Sequence, residues 1–186
     1  MKLTIEDRTR RTVILSGHCL RNIACYRAGR NWRGLRVSRE FWKSANSAFI
    51  DLAVLEWCKL FADRRGQHHW SLAVSNPDAF ITGLHSRLRT SESGFIAYIK
   101  TVTHYRNKFV AHLDEEKTMH IPRLRAARTS AAYLYDHLLS EPASLKWFLP
   151  REKASASTIY RLVYTQAWLE HHAGKTSLEK APTVTW

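Results

Sequence analysis

The stretch from Ser38 to Asp63, SREFWKSANSAFIDLAVLEWCKLFAD, constrains the fold more than any other part of the chain. Its apolar positions Phe41, Trp42, Ala45, Ala48, Phe49, Leu52, Leu55 and Phe61 mostly recur at three or four residues, the period of one helix face. Ala53, Val54 and Trp57 widen that stripe, which predicts a central helix packed on more than one side. Ser38 is its expected N-cap. A face this broad must be covered, so the rest of the chain has to supply partner helices.

The chain offers them. Only seven Gly and five Pro punctuate 186 residues. A short helix is expected over 18–28, ending near Gly29, followed by the basic loop RNWRGLRVS with Trp32 as anchor. Asn76-Pro77-Asp78 predicts a helix start, with Phe80, Ile81, Leu84 and Leu88 on its inner face. A longer helix is expected over 94–114, with Phe95, Ile99, Val102, Phe109 and Leu113 on one stripe. Pro122 opens another, carrying Leu124, Ala127, Ala131, Leu134 and Leu138, and a last helix spans 157–172 and stops at Gly174. Val13-Ile14-Leu15 and Leu72-Ala73-Val74 are the best strand candidates, and both read as helix edges or connectors. The expected class is all-α, a bundle of four to five core helices. The expected organisation is a basic N-terminal segment with a short helix over 1–37, the bundle over 38–175 and a flexible tail over 176–186.

Apolar residues make up 45 % of the chain, enough for a real core in a single domain of this length. The net charge of +13 argues for a polyanionic partner, most simply RNA or DNA, although a basic surface also binds membranes or acidic proteins and charge alone does not choose between them. More than half of that charge falls in the first 40 residues, where ten basic residues face three acidic ones and nine of the ten are arginine. Arginine forks onto phosphate oxygens better than lysine does, so Arg27, Arg30, Arg33 and Arg36, with Lys108 further on, are candidate RNA contacts. The alternative for these residues is a solvated helix face. Cys19, Cys25 and Cys58 contain no C-x-x-C pair, which suits free thiols in a reducing cytoplasm. No apolar run reaches the ~18 residues of a membrane span, and the apolar stretch near the N-terminus is too short for a signal-peptide core.

The stretch HYRNKFVAHLDEE, residues 104–116, concentrates the chemistry. Arg106 and His112 are separated by five residues. Arg11 with His18 and Arg64 with His69 fit a similar gap, so spacing alone says little. Only Arg106 is followed by Asn, at Asn107, and only this pair lies late in a long amphipathic helix. A purely structural pair is the alternative, with His112 favouring the helix C-terminal dipole and Arg106 pairing with an acid on a neighbouring helix. Asp51, inside the apolar central helix, wants a partner, and Arg106 is a candidate for it. Asp114 can orient His112 from the acidic run that follows, although such runs often mark a solvated helix end. His68-His69 and His171-His172 lack a well-spaced second pair and predict no metal site. There is no Gly-rich phosphate loop and no G-x-S-x-G elbow. The cysteines sit in apolar settings unsuited to a nucleophile.

YRNKFVAHLDE resembles the Arg-x(4–6)-His motif of HEPN domains, in which a polar residue, commonly Asn, follows the Arg. The aromatic-rich helix ahead of it resembles the abortive-infection AbiU-type branch of that family. The resemblance covers roughly residues 38–140. It implies a metal-independent RNA endonuclease without cofactors, often a toxin or antiviral effector with a partner antitoxin or defence protein. It also implies a helical bundle that dimerises so that two motifs share one site. His112 would then serve as base or acid, Arg106 would stabilise charge on phosphorus, and Asn107 would hold the imidazole, the guanidinium or the phosphate. Where the related toxins silenced by a nucleotidyltransferase carry His-x-Tyr, this chain has His112-Leu113-Asp114, which puts that mode of control in doubt. Six residues of straight helix rise about 9 Å and turn through about 240°, so Arg106 and His112 do not converge on one helix. Unless the helix bends, a nuclease reading therefore requires a dimer. The rival expectation is a non-catalytic helical module of the same fold that binds nucleic acid or a partner protein.

Overall fold

The structure is a computed structural model that describes residues 3–31, 33–36, 39–110, 120–141 and 154–176, with 174–176 as backbone only. Among these residues the chain is an all-α bundle of six helices with one two-residue pair of strands.

Helix α1 spans Ile5–Ala28. It begins at a capping box, in which the Asp7 amide donates to Thr4 Oγ1 at 3.1 Å and the Thr4 amide donates to Asp7 Oδ2 at 3.4 Å. The sequence predicts helix here only from residue 18, so the observed element is more than twice as long. Its buried face explains the miss. Thr9, Thr12, Val13, Ser16, Gly17, Leu20, Ile23 and Ala24 recur at helical spacing, but five of these eight are small or polar. Thr9 donates to the Ala73 carbonyl and Ser16 to the Thr12 carbonyl, so these two hydroxyls are buried with partners. Small side chains let neighbours come close, and α1 packs along α2 (Glu40–Phe61), α5 (Leu124–Ser140) and α6 (Ala156–Thr176). The hub of the bundle is thus α1, drawn from the segment expected to stand apart from it.

Strands β1 (Arg30–Asn31) and β2 (Gly34–Leu35) form an antiparallel hairpin after α1. Gly34 has a φ of 118°, a value that excludes most side chains. Trp32 and Ser38, the expected anchor and cap, lie outside the described residues. The N-cap position of α2 is Arg39, without a side-chain cap.

Helix α2 buries Asn46, Ile50, Ala53, Val54, Trp57, Cys58, Leu60 and Phe61. This is the flank that the sequence treats as a widening of the stripe. The stripe itself turns partly outward, with Phe41 71 % and Leu52 46 % exposed. Spacing identifies apolar faces but not which of two overlapping faces the partners cover. Trp57 is fully buried, donates to Ser130 Oγ at 2.8 Å and stacks on Phe61.

Helices α3 (Pro77–Leu88) and α4 (Glu92–Tyr105) complete the core with Phe80, Leu84, Phe95 and Val102. Asn76 caps α3 through the Ala79 amide and Ser91 caps α4 through the Gly94 amide. Leu72-Ala73-Val74 serve as the expected connector, closing a single 3-10 turn at Trp70–Leu72, whereas Val13, Ile14 and Leu15 sit in the middle of α1. Helix α6 continues through Gly174, where a stop is expected. Residues 177–186, expected as tail, lie outside the described residues. Among the described residues, no helix is long and apolar enough to cross a membrane.

Candidate functional site

The α-helical pattern of α4 ends at Tyr105, and residues Arg106–Val110 continue as a π-helical segment. The sequence predicts an uninterrupted helix to Asp114. One extra residue per hydrogen-bonded loop changes the angular order of side chains from Arg106 onward, and such segments recur at functional sites.

Arg106 starts the segment. Its Nη1 donates to Asp63 Oδ1 at 2.6 Å, just past the end of α2, and its Nε donates to the Asn107 side-chain oxygen at 3.1 Å. The side chain is 21 % exposed. Burial pulls its pKa down, but the hydrogen bond to Asp63, with the charges of Cys58 and Asp63, outweighs burial and holds it above the ordinary value. Cys58 lies beside the guanidinium. Burial pushes its thiol up to about 11, and Arg106 only partly offsets this, so Cys58 stays protonated near neutral pH. The charge that fixes Arg106 is therefore that of Asp63. A guanidinium has five N–H donors, so this clamp leaves some for an oxyanion.

Asp51 is not the partner of Arg106. Tyr105, fully buried, donates its hydroxyl to Asp51 Oδ1 at 2.9 Å. Burial raises the Asp51 pKa above its ordinary value, and the Tyr105 hydrogen bond offsets part of that rise. Asn107 is exposed and accepts the hydrogen bond from the guanidinium of its neighbour. Lys108 is half-buried. His112 and Asp114 lie outside the described residues.

The four N-terminal arginines divide. Arg36 donates its Nε to the Ala28 carbonyl at 2.9 Å and closes the end of α1, a structural task. Arg33 is exposed on the hairpin turn. Arg27 donates to the Tyr160 hydroxyl at 3.3 Å, and Arg30 lies over the Tyr26 ring at 5.5 Å. These last two line a groove of about 690 Å³ together with Arg123, Arg125 and Arg128 at the start of α5.

Sequence reasoning missed Asp63 and the arginines of α5. Nothing local marks Asp63, because its partner is 43 residues away. The α5 arginines carry a visible signal, the run RLRAAR, but only the fold sets it beside the end of α1. His171 is buried against Trp42 while His172 stacks on Trp168, so that pair divides between two rings. No group of three metal-ligating side chains occurs among the described residues.

Comparison of the chain with protein-family models, with curated proteins and with solved structures finds no match.

Proposed function

We propose that this chain is a metal-independent RNA endonuclease of HEPN type, a toxin or antiviral effector acting as a cytoplasmic homodimer. The observation that carries this reading is the clamp on Arg106. A guanidinium held by Asp63 and Asn107 at the first residue of a π segment is a preorganised, permanently charged donor. RNA supplies its own nucleophile. A 2′-hydroxyl attacks the adjacent phosphorus, a base takes its proton, and the 5′-oxygen leaves with a proton from an acid. The two His112 side chains of a dimer would share those proton transfers, and Arg106 would stabilise the charge on the phosphorane. The products are a 2′,3′-cyclic phosphate and a 5′-hydroxyl. The outward apolar stripe of α2, with Phe41 and Leu52, offers surface for a two-fold contact on the helix that holds Asp51 and Cys58.

One observation favours the alternative, a non-catalytic module that binds nucleic acid or a partner protein. Asp63 neutralises Arg106, as a purely structural ion pair would. End-labelled RNA incubated in EDTA with native protein, Arg106→Ala and His112→Ala separates the two. The nuclease reading expects cyclic-phosphate ends from the native chain and a loss of at least ~100-fold in both variants, the scale of a lost acid–base group. RNA binding without cleavage by the native dimer would leave the module.

A further inference from the structure

A second basic groove, of about 1130 Å³, lies between the end of α3, the first turns of α4 and the first turns of α5. Four arginines line it, Arg87, Arg89, Arg125 and Arg128, with the hydroxyl-bearing Thr90 and Thr129 and without any carboxylate residue. It sits at the far end of α4 from Arg106. Tyr98 and Gly94 line it, so the offset is roughly 12–18 Å along the helix.

Three features of these arginines favour an anionic ligand. First, the ion pairs found among the described residues involve none of the four, although Arg128 lies over the Tyr160 ring at 5.1 Å and Arg87 and Arg128 also line a smaller groove with Asp136. Second, α5 opens on Arg123 and Arg125, with no acid in its first turn and no side-chain cap. Cations gathered at the positive end of a helix dipole are placed against the field. Third, Arg89 is the one described non-glycine residue with positive φ, at φ 53° and ψ 49°, where it closes α3. Glycine is the stable choice at such a helix end. An arginine there, with its side chain lining the groove, sacrifices stability for a charge at that point.

The groove has a neighbour across α5. Arg125 and Arg128 line both it and the groove of Arg27 and Arg30, so the two adjoin at these side chains and together make a basic track. A track of this extent fits a linear polyanion better than a single small phosphate ester. We propose that this track, from Arg87 and Arg89 across Arg125 and Arg128 to Arg27 and Arg30, binds the phosphodiester backbone of a single nucleic-acid strand. The identification of that strand as the RNA substrate rests on the reading given under Proposed function. The track holds the strand away from the scissile phosphate and sets where along it Arg106 can act.

The test is equilibrium binding of a fluorescein-labelled 20-nucleotide RNA to the full chain across a salt series. It compares the native protein with Arg87→Ala/Arg89→Ala/Arg125→Ala, with Arg89→Gly, and with Arg65→Ala as an exposed arginine off the track. Each phosphate contact on a single strand contributes about 0.7 to the slope of log affinity against log salt. The triple variant should therefore lose about two from that slope, and Arg65→Ala should lose nothing. Arg89→Gly should melt at or above the native temperature yet bind more weakly, which a purely structural residue would not do. An unchanged slope in the triple variant, or an equal loss in Arg65→Ala, overturns the proposal. So does displacement of RNA by poly-glutamate at equal charge, which would assign the track to an acidic polypeptide. A DNA strand that competes as well as RNA supports contact through phosphate alone, and weaker competition supports contact through the 2′-hydroxyls as well. Cleavage measured on the same variants keeps the two readings apart. Strong binding through the track without any cleavage ends the nuclease reading only. Cleavage lost in Arg106→Ala, with the triple variant binding like native, ends the track only.

Discussion

Asp51 makes a prediction at the scale of a single residue. Burial raises its pKa from the ordinary 3.8, so the folded chain keeps a proton that the unfolded chain releases. Stability then falls as pH rises from about 3.8 through the folded pKa, and above it the full cost of the buried charge is present. Asn at this position still accepts the Tyr105 hydroxyl but carries no charge. Asp51→Asn should therefore melt above the native chain at pH 7, with the difference closing below pH 4. A lower melting temperature at pH 7 would mean that the charged hydrogen bond outweighs burial. The need for a partner at Asp51 was legible in the sequence, as a carboxylate inside an apolar stripe. Its identity was not. Tyr105 and Arg106 are adjacent and point about 100° apart on a helix, so the tertiary approach of α4 to α2 decides which one meets Asp51.

At the scale of elements, the helices read correctly are those with strong local signals. Asn76-Pro77 starts α3, and the regular leucines and alanines of α5 mark its inner face. Helix α1 was undercounted because its buried positions include Thr9, Thr12, Ser16 and Gly17, which a hydropathy pattern scores as solvent-facing. Its true start yields a direct test. Thr4→Ala removes the capping box and should cost about 1 kcal/mol in a denaturant titration. A helix beginning only near residue 18 would not feel that change. The π segment after Tyr105 was equally invisible, since RNKFV has ordinary helix-forming residues and no glycine or proline to announce a break.

At the scale of the whole molecule, charge and symmetry carry the argument. The arginine excess of the first 40 residues was plain from composition. Its use was not, because Arg36 closes α1 while Arg27 and Arg30 join arginines almost a hundred residues later. The nuclease reading also requires two chains. Specific activity should therefore fall on dilution, tracking the dimer fraction measured by sedimentation. Activity that stays constant per chain well below the dimer dissociation constant would show that one chain suffices.

The sequence by itself determined the all-α class, the net positive charge and the spacing of Arg106 and His112. Helical periodicity and net charge are sums over many residues, and they survive errors at any one position. The tertiary structure alone decided which helix is the hub, which face of α2 is buried, that Asp63 clamps Arg106, and that two groups of arginines line adjoining grooves. Each of these depends on which of several similar surfaces pack together. That choice is set by shape and by partners distant in the chain, and no local pattern encodes it.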